Sequence, residues 1–257
     1  MCIRLKKRAC CFYELTQILL EVIPPELASQ IHIKKTGNSK WISQVVASSA
    51  DYNPREYWLA RGKVYKEQFK YDPEKRLQED VLLDYLKTIS PFPTTVLEIG
   101  CGFGRISDLV LSNFPDIKEY VAMDMSPEQL ANAKSYVKKS DKIRFIESDI
   151  QSLQLDRKYD LVLAVSVLLH ILPGEIEQVA GRLVSLSKRH VINVDYYEDG
   201  PSRQLAPHNF MHRYEAIYQS LPSVESVKRV PVAKKKAFST RNSKQSLFHA
   251  LVAAPDQ

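Results

Sequence analysis

The segment Val96-Leu97-Glu98-Ile99-Gly100-Cys101-Gly102-Phe103-Gly104-Arg105 constrains the chain more than any other stretch of its sequence. A short apolar run enters three alternating glycines, and an amphipathic run leaves them and stops at Pro115. Glycines in such a loop allow positive φ and let a ligand approach the backbone closely. The pattern predicts a strand (Thr95–Ile99), a tight loop and a helix (Arg105–Phe114). In an open parallel sheet the ligand then lies beyond the strand's carboxyl end.

The same rhythm continues downstream. Tyr120–Met123, Ile143–Glu147, Asp160–Val165 and His190–Val194 read as further strands, and Glu175–Leu186 as a helix. Ser126, Pro127 and Gln129 predict a helix start with a capping box. Near-continuous Val/Ile/Leu strands alternating with helices imply a parallel sheet covered on both faces. Two strand-like runs at the end, Val224–Val230 and Ser246–Ala253, have only a polar loop between them and predict an antiparallel hairpin. Upstream, Asn53-Pro54 opens a helix with Tyr57, Arg61 and Tyr65 on one face, and Asp72-Pro73 opens a second one that ends before Pro91. Residues 1–50 are patterned differently and are expected to form an appendage, helical or partly disordered. Residues 51–257 form the main domain, with 51–90 as its helical part.

Composition narrows the class. With 257 residues, 44% apolar and 26% charged side chains, and only 8 glycines and 14 prolines, the chain is neither fibrous nor wholly disordered. No apolar run approaches the roughly 18 residues needed to span a bilayer. The block Cys10–Pro24 is broken by Glu14 and Glu21, which argues against a signal peptide. The four cysteines Cys2, Cys10, Cys11 and Cys101 lack metal-ligand spacing, so neither a metal site nor a disulfide framework is expected, and a reducing cytoplasmic setting is. Vicinal Cys10-Cys11 after a basic stretch offers acylation as an alternative to plain thiols. The formal charge of +6 comes largely from the first eight residues and from Lys228–Lys244, a solvated face or a patch for RNA, lipid or an acidic partner.

The loop's ligand can be narrowed too. A dehydrogenase fingerprint needs a third glycine at position 105, which is Arg, and a Gly-Lys-Ser/Thr phosphate loop is absent. Glu98 would repel a pyrophosphate and favour a cation. Together, E-x-G-x-G-x-G after a strand, Asp124 at the end of the second strand, Ser148-Asp149-Ile150 at the end of the third and Tyr159–Leu163 as the fourth resemble the class I S-adenosylmethionine-dependent methyltransferases. The resemblance covers about residues 52–254. It implies a doubly wound, Rossmann-like α/β fold with a mostly parallel seven-stranded sheet, an antiparallel last strand and an N-terminal helical lid. It further implies S-adenosyl-L-methionine as cofactor. Gly100, Cys101, Gly102 and Gly104 would cradle it, with Asp124 at its ribose and Met125 among the cofactor-binding residues. Asp149 and the Ile150 N–H would read its adenine, with Glu98, Ser166 and lid residues Arg61 and Tyr65 around the methionyl end. Cys101 reads as a small filler between glycines rather than a nucleophile.

The acceptor is less legible. Methyl transfer needs alignment and water exclusion, and a hydroxyl acceptor usually needs a base. His170, His208 and His212 are the candidate catalytic groups, each set against a plain structural role. Asp195-Tyr196-Tyr197-Glu198, leaving strand five, reads as a substrate-contacting stretch. After strand four, Ala164-Val165-Ser166-Val167 lacks the Asn/Asp-Pro-Pro-aromatic turn of nucleic-acid base N-methyltransferases, and no cysteine lies beyond Cys101. The expectation is an enzyme methylating an O or N atom of a small molecule, with nucleic acid disfavoured as a partner. An RNA or protein methyltransferase using the basic C-terminal segment, or a non-catalytic cofactor-binding module, stand as alternatives.

Overall fold

The computed structural model describes residues 52–69, 73–197, 199–232 and 245–254, all within the compact unit Ser48–Gln257. The expectations for residues 1–50, for Cys10-Cys11 and for Lys234–Lys236 fall outside the described residues.

Two helices lead, α1 (Pro54–Phe69) and α2 (Pro73–Leu86). Asn53 caps α1, its Oδ1 accepting the N–H groups of Arg55 and Glu56 (3.1 and 3.3 Å) ahead of a proline at the first helical position. Then come β1 (Thr95–Ile99), α3 (Arg105–Asn113), β2 (Glu119–Asp124), α4 (Pro127–Tyr136), β3 (Ile143–Glu147), β4 (Tyr159–Val165), α5 (Ile176–Ser185) and β5 (Ser187–Tyr196). The chain ends in β6 (Arg203–Ala206), β7 (Asn209–Met211), α6 (Tyr214–Gln219), β8 (Val224–Pro231) and β9 (Gln245–Val252).

One seven-stranded sheet runs in the order β3-β2-β1-β4-β5-β9-β8. Strands β1 to β5 are mutually parallel, and β9 is antiparallel to both β5 and β8, as the terminal hairpin implied. The order reverses at β1, so β1 and β4 open a crevice at their carboxyl ends. Alternation divides the core even where the strands are apolar throughout. Leu97, Ile99, Val121 and Val162 face α5 and α6, while Val96, Ala122, Leu161 and Ile192 face α2, α3 and α4.

Four features depart from the sequence reading. No helix joins β3 to β4. Instead, Asp149 Oδ1 accepts the Ser152 N–H (2.7 Å) and hydroxyl (2.5 Å) and turns the chain. The β6–β7 hairpin and α6 are additional, being too short for periodicity to register. Strand β5 runs to Tyr196 rather than Val194 because β9 pairs with it up to Tyr196↔Gln245. The capping box is half formed: Ser126 Oγ accepts the Gln129 N–H (3.3 Å), but the Gln129 side chain turns elsewhere and Asp124 Oδ1 takes the Ser126 N–H (2.9 Å). Among the described residues no helix is long and apolar enough to cross a membrane.

Candidate functional site

The glycine loop is fixed by backbone bonds. Cys101 N–H donates to Met123 O (2.8 Å), tying the loop to β2, and Gly104 N–H donates to Cys101 O (3.0 Å). Gly100 (φ 66°) and Gly104 (φ 87°) lie in the left-handed region, and neither has room for a methyl group. A Cβ on Gly100 would stand 2.6 Å from Val167 Cγ2, and one on Gly104 2.8 Å from Val137 Cγ2. The tightness at Gly104 brings α3 against α4. The tightness at Gly100 sets the wall of a cavity of about 420 Å³ bounded by the loop, the carboxyl ends of β2, β3 and β4, and α1.

Carboxylates dominate this cavity: Glu98, Asp124, Asp149 and Glu175 line it, against the guanidinium groups of Arg55 and Arg105. Asp124 is held at the loop, its Oδ2 accepting Gly102 N–H (2.8 Å) and its Oδ1 that of Ser126. Burial raises its pKa, and those N–H groups only partly oppose this. Asp149 goes the other way. Burial pushes its pKa up, but Ser152 and the Arg55 guanidinium (3.2 Å) outweigh it and hold the carboxyl below its usual range. Glu98, on the α3 face of β1, is buried and receives the Ser107 hydroxyl (2.5 Å) and the Tyr120 hydroxyl (2.8 Å) on one oxygen. Burial lifts its pKa to about 7. Both cations are already engaged, Arg55 by Asp149 and Arg105 by Glu79 (2.8 Å) and Gln78 (2.9 Å). The site therefore suits a positively charged ligand better than a pyrophosphate.

Beyond β4 the chain turns sharply. Ser166 has φ 58°, unusual for a residue with a side chain, and its hydroxyl accepts Gln78 Nε2 (2.8 Å) and Lys75 Nζ (3.4 Å). The following residues form a 3₁₀ turn, Leu168–His170, hung on Asp195, whose Oδ1 accepts the Leu169 N–H (3.2 Å). Asp195 is 1% exposed and burial pushes its pKa to about 7, so it props this turn from beneath and does not meet a substrate. The reading of Asp195–Glu198 as a substrate-contacting stretch is corrected at Asp195 and Tyr197, which are buried. The added length of β5 keeps Asp195 within the sheet, Tyr197 packs edge-on against Phe248, and Glu198 lies outside the described residues.

Helix α1 covers the cavity. Trp58 sits 4.4 Å from the His170 ring, Tyr57 stacks on His208 (4.6 Å), and Tyr65 meets Trp58 and Phe103. His170 Nδ1 lies 2.7 Å from the His208 carbonyl, which can only accept, so Nδ1 carries the proton and Nε2 keeps its lone pair. Burial holds the His170 pKa down at about 3. His212 is buried beneath the same turn, donating from Nε2 to Ile171 O (3.0 Å).

Of the residues expected at the site, Tyr65, Glu98, Gly100, Cys101, Gly102, Asp124, Met125, Asp149, Ile150, Ser166 and His170 line the cavity. Arg61, Gly104, His208 and His212 do not. Gly104 acts behind the loop, and His208 and His212 support the turn at residues 168–171. The Cys101 thiol is buried and its pKa raised, by burial first and then by Glu98 and Asp124, as befits a filler. The sequence reading missed Arg55, Gln78 and Gln129. Only Gln78 had a signal, a carboxamide on the apolar stripe it shares with Leu82, Tyr85 and Leu86. A second cleft, of about 660 Å³, opens at the opposite end of the sheet between Phe92, Asp160 and His249 and includes none of the glycine loop. Among the described residues no cluster of His, Cys, Asp or Glu could hold a metal ion.

Residues 96–190 match the family model described as a methyltransferase domain. Malonyl-[acyl-carrier protein] O-methyltransferase of Acetivibrio thermocellus is 32% identical over 97 residues, 37% of this chain and 34% of that protein. Magnesium protoporphyrin IX methyltransferase of Arabidopsis thaliana is 29% identical over 161 residues, 54% of this chain and 48% of that one. The match thus spans from about a third to about half of the length of these curated relatives. The fold is shared more completely. The Synechocystis magnesium protoporphyrin IX methyltransferase with bound S-adenosylmethionine superposes with a TM-score of 0.59 at 17% identity, over 79% of this chain and 99% of that one. The N-methyltransferase NodS of Bradyrhizobium japonicum, in complex with S-adenosylhomocysteine, gives 0.60 at 17% identity, over 79% and 100%. The matched segment, the strand order that reverses at β1 and the carboxylates at successive strand ends agree: residues 96–190 carry a methyltransferase domain, and the chain shares the fold of S-adenosylmethionine-dependent methyltransferases.

Proposed function

We propose that the protein transfers the methyl group of S-adenosylmethionine to an oxygen or nitrogen of a small-molecule acceptor. The observation that carries this reading is the convergence of the glycine loop, Asp124 and Asp149 on one cavity under α1. Three carboxylates and a tight glycine loop fit a ribose, an adenine edge and a cationic methionyl end. When bound, the cofactor supplies a sulfonium methyl and an excellent leaving group, so the protein's contribution is alignment and exclusion of water. Asp124 would hold the ribose and Asp149 the exocyclic amine. Glu98 would balance the positive charge, and Trp58 and Tyr65 would close the top.

Small molecules are favoured as acceptors because the described basic residues of the C-terminal hairpin are spent elsewhere. Arg229 pairs with Asp199 and lies over the Tyr197 ring, and Lys228 lies over Tyr85. Magnesium protoporphyrin IX, in the name of one relative, is a small molecule of this kind, whereas malonyl-[acyl-carrier protein], in the name of the other, is a small acyl group borne on a protein. Calorimetric titration with S-adenosylmethionine and S-adenosylhomocysteine tests the cofactor. Incubation with methyl-labelled cofactor and size-fractionated extract tests the acceptor. Label in the low-mass fraction is expected; label in RNA or protein would replace the acceptor class, and absent binding would end the reading.

His170 is the group best placed to meet the acceptor. Its Nε2 lone pair is available to accept a hydrogen bond, but with a pKa near 3 it is too weakly basic to store a proton at neutral pH. It orients an O–H or N–H. Because the depressed pKa leaves His170 neutral throughout about pH 5–8, its titration adds no limb to the rate profile there. His170→Ala is expected to lower kcat/KM for the acceptor about tenfold or more with the profile's shape unchanged. A limb near neutrality that vanishes in the variant would make His170 a titrating base instead.

A further inference from the structure

Gln129 stands where α4, α1 and the glycine loop meet, 4% exposed, and it lines the cavity. Its Nε2 donates to the carbonyl of Gly62 in α1 (2.5 Å). That bond fixes which way round the amide stands, since the reverse would set oxygen against oxygen. Helix α1 approaches closely here, a Cβ on Gly62 falling 2.2 Å from Ser126 Oγ. The other end of the amide, Oε1, is buried and has no hydrogen-bond partner among the described residues. It lies 3.9 Å from the position a Cβ would take on Gly102, as does Tyr65 Cε1, and Gly102 is the residue whose N–H is held by Asp124. A buried amide oxygen left without a donor costs about 1–3 kcal/mol, so its place on the wall beside that carboxylate calls for a ligand donor.

We propose that Gln129 accepts a hydrogen bond from a ribose hydroxyl of the bound cofactor and, through its amide N–H on Gly62, couples cofactor occupancy to the seating of α1. This rests on the S-adenosylmethionine reading above. A vicinal diol presents two O–H donors to a corner that offers two acceptors, the Asp124 carboxylate and Gln129 Oε1. One side chain then reads the sugar and holds the cover, so the helix docks most firmly when the sugar is in place.

The test titrates the full-length protein with S-adenosylhomocysteine and its 2′-deoxy and 3′-deoxy forms, in wild type, Gln129→Met and Gln129→Glu. Wild type is expected to lose affinity about tenfold or more for the deoxy form lacking Gln129's partner, because a site built around a hydroxyl leaves a buried group unpaired without it. In Gln129→Met that particular loss shrinks to within about twofold, whereas in Gln129→Glu, which keeps an acceptor oxygen, it persists. Amide hydrogen exchange supplies the second readout. Exchange in residues 54–69 slows on ligand binding in wild type, and less in both variants, which lack the N–H to Gly62. Equal hydroxyl dependence in wild type and Gln129→Met overturns the proposal and leaves Oε1 to a solvent molecule. Should the Met variant fail to fold, the wild-type titration decides, since indifference to both hydroxyls overturns it alone. Failure of wild type to bind S-adenosylhomocysteine at all would instead strike the cofactor reading.

Discussion

Asp124→Ala is expected to weaken S-adenosylmethionine binding by roughly 1.5–3 kcal/mol, about 10- to 150-fold, because a charge-assisted bond to the ribose disappears. The same carboxylate holds the Gly102 and Ser126 N–H groups, so the loop and the start of α4 loosen as well. A loss of about 1–2 kcal/mol in unfolding free energy without ligand should accompany the lost affinity. The two effects separate in Asp124→Asn. There one oxygen still accepts, while the new amide N–H₂ faces a backbone N–H. Calorimetry together with urea unfolding gives both numbers. Unchanged affinity in the Ala variant would remove Asp124 from the sugar, whatever happened to stability.

What the sequence made legible, and what it hid, follows from how each residue earns its place. Asp124 and Asp149 could be read because strands of a parallel sheet deliver their last residues to one edge, and alternating glycines mark where that edge must admit a ligand. Both signals are local. Arg55, Gln78 and Gln129 act through partners 94, 88 and 67 positions away, on Asp149, Ser166 and Gly62 respectively, and no spacing rule reaches so far. Asp195 misled for a related reason. A polar residue at a strand's end reads as exposed to the crevice, but pairing with β9 extends β5 and turns that carboxyl under the turn at residues 168–170. His212 reads as chemistry in isolation, yet the β6–β7 hairpin carries it into the packing beneath Ile171. The histidine that does reach the cavity, His170, is told apart from the others only by its tertiary neighbours Trp58 and the His208 carbonyl.

Gly100→Ala tests the loop itself, with Gly174→Ala as its control. At Gly100 a methyl group meets two independent penalties. The backbone at φ 66° is left-handed, costing an alanine about 1–2 kcal/mol, and the new Cβ would lie 2.6 and 3.2 Å from the two γ-carbons of Val167. Val167 has little freedom to yield, being β-branched, preceded by the left-handed Ser166, and followed by a turn anchored on Asp195. Relief must come from moving either the loop or the cavity wall, so a total destabilisation of about 2–4 kcal/mol is expected in urea unfolding, along with a large loss of S-adenosylhomocysteine affinity. Gly174 has open space at its Cβ position, and its alanine variant should stay within about 0.5 kcal/mol of wild type. Adding Val167→Ala to Gly100→Ala separates the two penalties. The steric part should return, minus the valine's own contribution, while the left-handed part remains, giving a favourable coupling of about 1 kcal/mol or more. Additivity of the two substitutions would show that the loop gives way instead of the valine, and that the cavity wall does not depend on this contact.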